Sequence, residues 1–352
     1  MVVIDFLIIV GPLALIVIVF HIIRKISHDD GGTEVFPRMP PPLDDYKGPE
    51  VEYSCPDECL SLLSGKNIDE GLSDILRQKV RTLTPATPAG LKLLKFLRSH
   101  DTKPEQIARL VATSPIFSVH VLRTVNSPQF NLSSKVNSVG TAILVMGYHK
   151  FKKLVESCNL DDFLSEIQDE DLVRVYSRLW LHSAMVSTCA AYLGQNIFRR
   201  RYEQELPTMG LLHDIGKYYL PLFDKKNPAA DGISSCIGND AEYGFSHAIL
   251  GSYIAEECNL PDVTVKAIYY HHHPLFFPPE KIPRAYRLPS FIICLSDLIC
   301  KTYGHYGKGE QIYPIREEYF EMYDVDLKSI FSKTLEKSLN RCFSTVESFR
   351  NY

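Results

Sequence analysis

Residues 114–148 read SPIFSVHVLRTVNSPQFNLSSKVNSVGTAILVMGY, and this stretch decides the fold class. Ser114-Pro115 is a helix cap followed by proline at the first helical position, ahead of the apolar run IFSVHVLRTV. Asn126-Ser127-Pro128 reads as helix terminus and turn, because a residue before proline is pushed out of the helical region. The same signals recur upstream. Thr87-Pro88 precedes LKLLKFL, and Thr102-Lys-Pro-Glu105 forms a capping box before IARLV. Short helices joined by short links predict an all-α body.

The second half extends the series. A long periodic helix is predicted from Glu170 to Leu193, stopping before Gly194 and presenting Trp180-Leu-His182-Ser183. A helix ending at its own glycine is predicted to carry LLHDIGK, residues 211–217. His247 opens HAILGSYIAEEC. Asp262, after Pro261, is predicted to cap VTVKAIYY, which delivers His271, His272 and His273, and Asp297 lies inside the apolar stretch PSFIICLSDLIC. An isolated histidine on an apolar helix is commonly a hydrogen-bonded core residue. A carboxylate among Phe291, Ile292, Leu295 and Ile299 is costly if buried without a partner, or else lies on the helix's wet side with Ser296. Imidazoles and carboxylates spread over several helices are what a two-metal site needs, since Asp214 can bridge two cations. The long gaps between them leave convergence open.

Bulk properties bound the alternatives. The 352 residues suffice for two cores, and 45% hydrophobic with 23% charged residues is ordinary for a folded chain. A net charge of -4 gives no reason to expect a nucleic-acid partner. His149-Lys-Phe-Lys-Lys153 and Arg199-Arg-Arg201 read as solvated faces or as phosphate contacts. The nine cysteines are an odd number, scattered singly save Cys55 and Cys59, which suits a reducing compartment. From Val2 to Ile23 only Asp5 and His21 are polar, and as a helix this stretch would rise about 33 Å. With Arg24-Lys25 behind it, the expectation is a single-pass anchor in the inner membrane, body in the cytoplasm. The expected organisation is an anchor over 1–28, a Pro/Gly-rich acidic linker over 29–50, and helical lobes over 51–165 and 166–352.

The 114–148 stretch resembles the HDOD family, with Asn126-Ser127 and Phe130 on its NS-x-x-F element and Ala142-Ile143 with Gly147 on a later one. The second half resembles the same family and the wider HD superfamily in the order Trp180-x-His182-Ser183, LLHDIGK, His247 with Gly251, Leu260-Pro261, and His271-His272 with Pro274. The resemblance covers roughly residues 80–300. It implies two divalent transition-metal ions, iron, manganese or zinc. One would be enclosed by His182, His213, Asp214 and Asp297, and Asp214 would bridge to a second held by His247, His271 and His272. Asp214 and Lys217 are the expected catalytic residues, Lys217 either meeting a phosphate oxygen or facing solvent. Related HD-GYP proteins cleave cyclic di-GMP and carry HHE and GYP elements, whereas residues 271–279 here read HHHPLFFPP. The implied function is a membrane-anchored signalling or regulatory protein with a protein partner and a phosphate or nucleotide ligand. The alternatives are a metal-dependent phosphodiesterase or nucleotide phosphohydrolase, and a non-catalytic adaptor.

Overall fold

The computed structural model describes residues 57–65, 68, 70–82, 111, 113–157, 170–199, 201–220, 240–303, 314–325, 330, 335 and 337, and among them it contains helices and turns and no strand. The expected caps at Thr87 and Thr102 and the linker over 29–50 lie outside the described residues. Helices Asp57–Ser64 and Glu70–Thr82 come first, then Pro115–Val125, Val139–Met146 and Tyr148–Ser157. The Glu170–Asn196 helix follows, and Leu206–Leu212, Ile215–Tyr219, Asp240–Tyr243, His247–Glu257, Asp262–Tyr270 and His273–Phe276 lead to Arg284–Tyr303 and Glu317–Tyr323.

Ser114 occupies the N-cap position with Pro115 next, as its sequence predicts, but its side chain makes no capping bond and is buried. Asn126 caps the C-terminus of that helix. Its amide donates to the Val136 carbonyl at 2.9 Å while its Oδ1 accepts from the Val136 N–H at 2.7 Å, so the turn is closed at two points. Trp180 Nε1 donates to the Thr113 carbonyl at 2.7 Å and ties this helical layer to the long helix.

Two apolar cores lie side by side, and the Glu170–Asn196 helix serves both. Tyr176, Leu179 and Trp180 join Leu122, Phe151, Tyr218, Ile254 and Ile268 in one core. Ala184, Met185, Cys189 and Leu193 join Leu63, Met209, Phe291 and Tyr319 in the other. Each buried large side chain of this kind contributes about 1.5–3 kcal/mol, so the seam between the cores is held from both sides. Leu212 and Ile215 belong to the first core and Met209 to the second; Ile268 belongs to the first and Ala267 and Leu275 to the second. His182, between Trp180 and Ala184, and His271-His272, between Ile268 and Leu275, therefore sit on the seam, and His213 and Asp214 meet them there. The long helix runs three residues past its expected end at Leu193, and Gly194 inside it is a packing contact: a Cβ there would meet Leu206 Cδ1 at 2.4 Å.

The membrane-spanning helix expected over residues 1–28 is corrected. Among the described residues no helix is long and apolar enough to cross a membrane, and the stretch on which the expectation rested lies outside them. Of the two long helices, of 27 and 20 residues, the first carries its charges at Glu170, Asp171, Arg174 and Arg178 and is diluted beyond them by His182, Gln195 and Asn196, and the second is interrupted by charge at Arg284, Arg287, Asp297 and Lys301. The inner-membrane localisation, the membrane as partner and the membrane-anchored form of the function fall with it.

Candidate metal centre

His182 projects from the middle of the long helix. His213 and Asp214 form a break between two short helices rather than one helix ending at Gly216, with Asp214 at φ -100°, ψ 15°. That bridge-region backbone turns the chain at the carboxylate. Gly216 lies inside the second short helix, where a Cβ would meet the His247 carbonyl oxygen at 2.0 Å, so only glycine lets the two segments approach this closely. His247 is the first residue of its helix, which Ser246 caps by accepting from the Ala248 N–H at 3.0 Å. Pro261, not Asp262, is the N-cap of the next helix; Asp262 instead accepts from the Tyr286 hydroxyl. His271 and His272 follow that helix's last turn, and Asp297 faces inward from Arg284–Tyr303.

All seven expected ligands are buried and come together as two sets, His182 with His213 and Asp297, and Asp214 with His247, His271 and His272. Asp214 belongs to both environments. Its Oδ2 lies 3.6 Å from His182 Nε2 and 3.3 Å from His213 Nε2, while its Oδ1 lies 3.1 Å from His247 Nε2 and 3.7 Å from His271 Nε2. Asp297 Oδ1 is 2.9 Å from His182 Nε2. Two histidine pairs face each other through Nε2, His182 with His213 at 3.2 Å and His247 with His272 at 3.0 Å.

The far side of several rings is anchored. His213 Nδ1 lies 2.8 Å from the Gly210 carbonyl and His271 Nδ1 2.6 Å from that of Ile268. A carbonyl only accepts, so each Nδ1 carries a proton, and the Nε2 of each ring is the atom turned inward. His247 Nδ1 meets the buried Asp240 carboxylate at 2.7 Å, and the same oxygen accepts the His247 N–H at 3.0 Å. Sequence reading missed Asp240; its only trace is a carboxylate seven residues before His247, across a turn.

Burial drives the electrostatics. It pushes His182 down to about 4 and, with neighbouring histidines, holds His271 and His272 well below the ordinary imidazole range, so all three are neutral donors at neutral pH. Burial would also lower His247, but the Asp240 carboxylate more than offsets it and the pKa is raised. For Asp214 burial acts upward and is overcome by His213 and Lys217, and for Asp297 by Lys301 and His182; both stay ionised. Lys217 Nζ donates to Asp214 Oδ2 at 2.8 Å and Lys301 Nζ to Asp297 Oδ2 at 2.7 Å. His273, left outside the expected set, is buried among Tyr269, Tyr270 and Phe277.

These residues fit a metal ion on their own chemistry. His271 Nε2 is a buried lone-pair nitrogen without a hydrogen bond. For metal–nitrogen bonds of about 2.0–2.1 Å, two ligands of one ion stand roughly 2.9–3.4 Å apart, and the facing Nε2 pairs at 3.2 and 3.0 Å fall in that interval. Both His/Asp sets are thus compatible with metal coordination.

A family model described as the HDOD domain matches residues 84–274. An uncharacterized protein of Treponema pallidum (strain Nichols) is 21% identical over 207 residues, 56% of this chain and 39% of that protein, so the chain spans about two-fifths of the curated relative it matches. A fragment of the MmoQ response regulator from Methylococcus capsulatus (strain Bath) is similar at TM-score 0.51 and 18% identity, over 71% of this chain and 94% of that one. A virulence factor, cj0248, of Campylobacter jejuni gives TM-score 0.49 and 14% identity over 76% and 96%.

Proposed function

The chain belongs to the HDOD family, and on that premise we propose that it hydrolyses a phosphoester or phosphodiester bond, most simply in a nucleotide, at a two-metal centre on the seam between its cores. One observation carries the reading: the two oxygens of the buried Asp214 carboxylate face two different sets of imidazole and carboxylate donors. His182, His213, Asp297 and Asp214 would hold one divalent ion, and Asp214, His247, His271 and His272 the other. Nitrogen and oxygen donors of this kind suit iron, manganese or zinc. Such ions supply an activated water and neutralise phosphoryl oxygens.

The chain's own residues do the rest. Asp240 fixes the His247 ring and keeps its Nε2 directed at Asp214. Gly210 and Ile268 do the same for His213 and His271 through their carbonyls. Burial keeps His182, His271 and His272 unprotonated, so no proton has to leave them before they can act as donors. Lys217 is the proposed phosphate contact: its ammonium group stands against the shared carboxylate and its side chain keeps 12% of its exposure. The proposed organisation retains a first helical lobe over 51–165 and a second over 166–352. A signalling role with a protein partner is supported by the fold shared with the MmoQ response regulator.

The test is a hydrolysis screen of full-length protein supplied with iron, manganese or zinc, against a generic phosphodiester and a nucleotide panel. Metal-dependent turnover that disappears in Asp214→Ala is expected. Tight metal binding without turnover on any substrate would instead favour a regulatory metal site, a reading that the complete burial of the donor atoms supports.

A further inference from the structure

A cavity lies outside the metal centre, with none of the seven ligands in its lining. It encloses about 560 Å³ and is lined by Arg201, Arg284, Arg287, Tyr202, Tyr323 and the buried Leu288. That volume falls in the range of small-molecule sites, about 300–1,000 Å³, and is too small for a folded partner. Three guanidinium groups converge on it, and among the described residues none of them forms an ion pair with a carboxylate. Like charges gathered together raise the energy of the free protein and are relieved by an anion. Arg287 is held in place, its Nε donating to the Ile282 carbonyl at 2.7 Å, which leaves its terminal nitrogens for another acceptor. The fork of an arginine matches the spacing of phosphate oxygens.

The aromatic residues narrow the ligand. Tyr202 adopts a left-handed backbone with φ 55°, as does Arg199 with φ 53°, three residues before it on the same turn. A non-glycine residue in that region is strained, and here the turn carries Tyr202 and Arg201 to the rim. The Tyr202 hydroxyl reaches the Ala285 carbonyl at 3.3 Å and spans the cleft's edge. Tyr323, half-buried, also lines the cavity and packs edge-on against Phe198 and stacked on Phe291 in the second core. Two tyrosines flanking three guanidiniums offer a face for a planar ring beside a seat for phosphate.

We propose that this cleft binds a nucleoside phosphate, the phosphates on Arg201, Arg284 and Arg287 and the base against Tyr202 and Tyr323. The inference stands apart from the hydrolytic reading, but the position links the two. The Arg284–Tyr303 helix carries two of the guanidiniums on its first turn and Asp297 further along, and the segment after Tyr202 leads directly into the Leu206–Leu212 helix that ends at His213. A ligand clamped between these helix starts would bear on both elements that supply His213 and Asp297.

The experiment is calorimetric titration of full-length protein with ADP, GDP and inorganic phosphate, for the wild type, Arg201→Gln/Arg284→Gln, Tyr323→Leu and Asp214→Ala. With both proteins stripped of metal by a chelator, the wild type and Asp214→Ala should each bind one nucleotide per chain with the same affinity, which separates this site from the metal centre whatever the hydrolysis screen returns. The double arginine variant, whose altered residues are exposed and whose melting temperature should match the wild type, should lose roughly tenfold or more in affinity. Tyr323→Leu should weaken nucleotide but not inorganic phosphate, and phosphate alone should bind more weakly than either nucleotide. No nucleotide binding by the wild type, binding lost in Asp214→Ala, or equal affinity in the double arginine variant would overturn the proposal. Phosphate binding as tightly as the nucleotides would overturn the role given to the tyrosines.

Discussion

Replacing Gly216 by alanine tests how the two halves of the centre are held together. The added Cβ would lie 2.0 Å from the His247 carbonyl oxygen, 2.8 Å from its carbon and 2.9 Å from the Gly251 nitrogen. All three are backbone atoms, so no side-chain rotation relieves the clash. Restoring ordinary contact at 3.4 Å requires the Ile215–Tyr219 and His247–Glu257 helices to part by about 1.4 Å. The His247 Nε2 to Asp214 Oδ1 separation, 3.1 Å now, would then open to about 4.5 Å. Overpacking of this kind costs about 1–3 kcal/mol, or a fall of several degrees in melting temperature for a chain of this size. Gly251→Ala is the control: its Cβ would press on the Ile268 and Ile215 Cγ2 atoms at 3.1 and 3.2 Å, both on side chains that can give, and its nearest backbone neighbour, the Gly216 nitrogen, stands at an ordinary 3.4 Å. Thermal unfolding with metal analysis of both variants is the assay. Gly216→Ala should melt lower and retain less metal, while Gly251→Ala stays near the wild type. A Gly216→Ala protein with wild-type melting temperature and metal content would refute the close-approach argument.

Asp240→Asn should lower metal affinity about 10- to 100-fold, read by competition with a chromophoric chelator, because it removes the charge that orients His247; unchanged affinity would leave Asp240 with no role beyond packing. Asn126→Ala should cost about 1–3 kcal/mol in denaturant unfolding by stranding the Val136 N–H and carbonyl, with metal content unaffected. His120, partly buried beside Arg123, is pushed by burial to about 4. A depressed histidine means that the unfolded chain takes up protons first, so this share of stability is complete above about pH 6.5 and is lost as pH falls toward about 4. His120→Gln should remove that share, at most about 2 kcal/mol after allowing for its partial exposure, and flatten the acid limb of stability by roughly one proton; an unchanged limb would count against the burial of that ring.

The sequence was most readable where a residue type conflicted with its surroundings. Asp297 amid Phe291, Ile292, Leu295 and Ile299 reads either as a buried carboxylate needing a partner or as a wet-side residue with Ser296, and the structure buries both Asp297 and Ser296; Ser114-Pro115 marks a helix start that the structure retains. What could not be read depended on neighbours distant in the chain. Gly216 looked like a helix stop and is a contact with the His247 backbone; Gly194 looked like another and is a contact with Leu206. Asp240 left only the trace of a carboxylate seven residues before His247, because its role exists only once the turn between them folds back. Which Asp214 oxygen faces which set is likewise a product of three-dimensional packing. The span expected from the apolar Val2–Ile23 stretch and the Arg24-Lys25 behind it has no counterpart among the described residues, where no helix is long and apolar enough to cross a membrane.

The most direct measurement is the metal content of full-length protein prepared with iron, manganese or zinc, under aerobic and anaerobic conditions, beside that of Asp214→Ala. The wild type should carry up to two ions per chain and Asp214→Ala should lose most of both, since the two sets share that carboxylate; His182→Ala and His247→Ala should each lose less. Wild-type protein without bound metal in every preparation would contradict the account and leave the His/Asp cluster as a buried polar network joining the two cores.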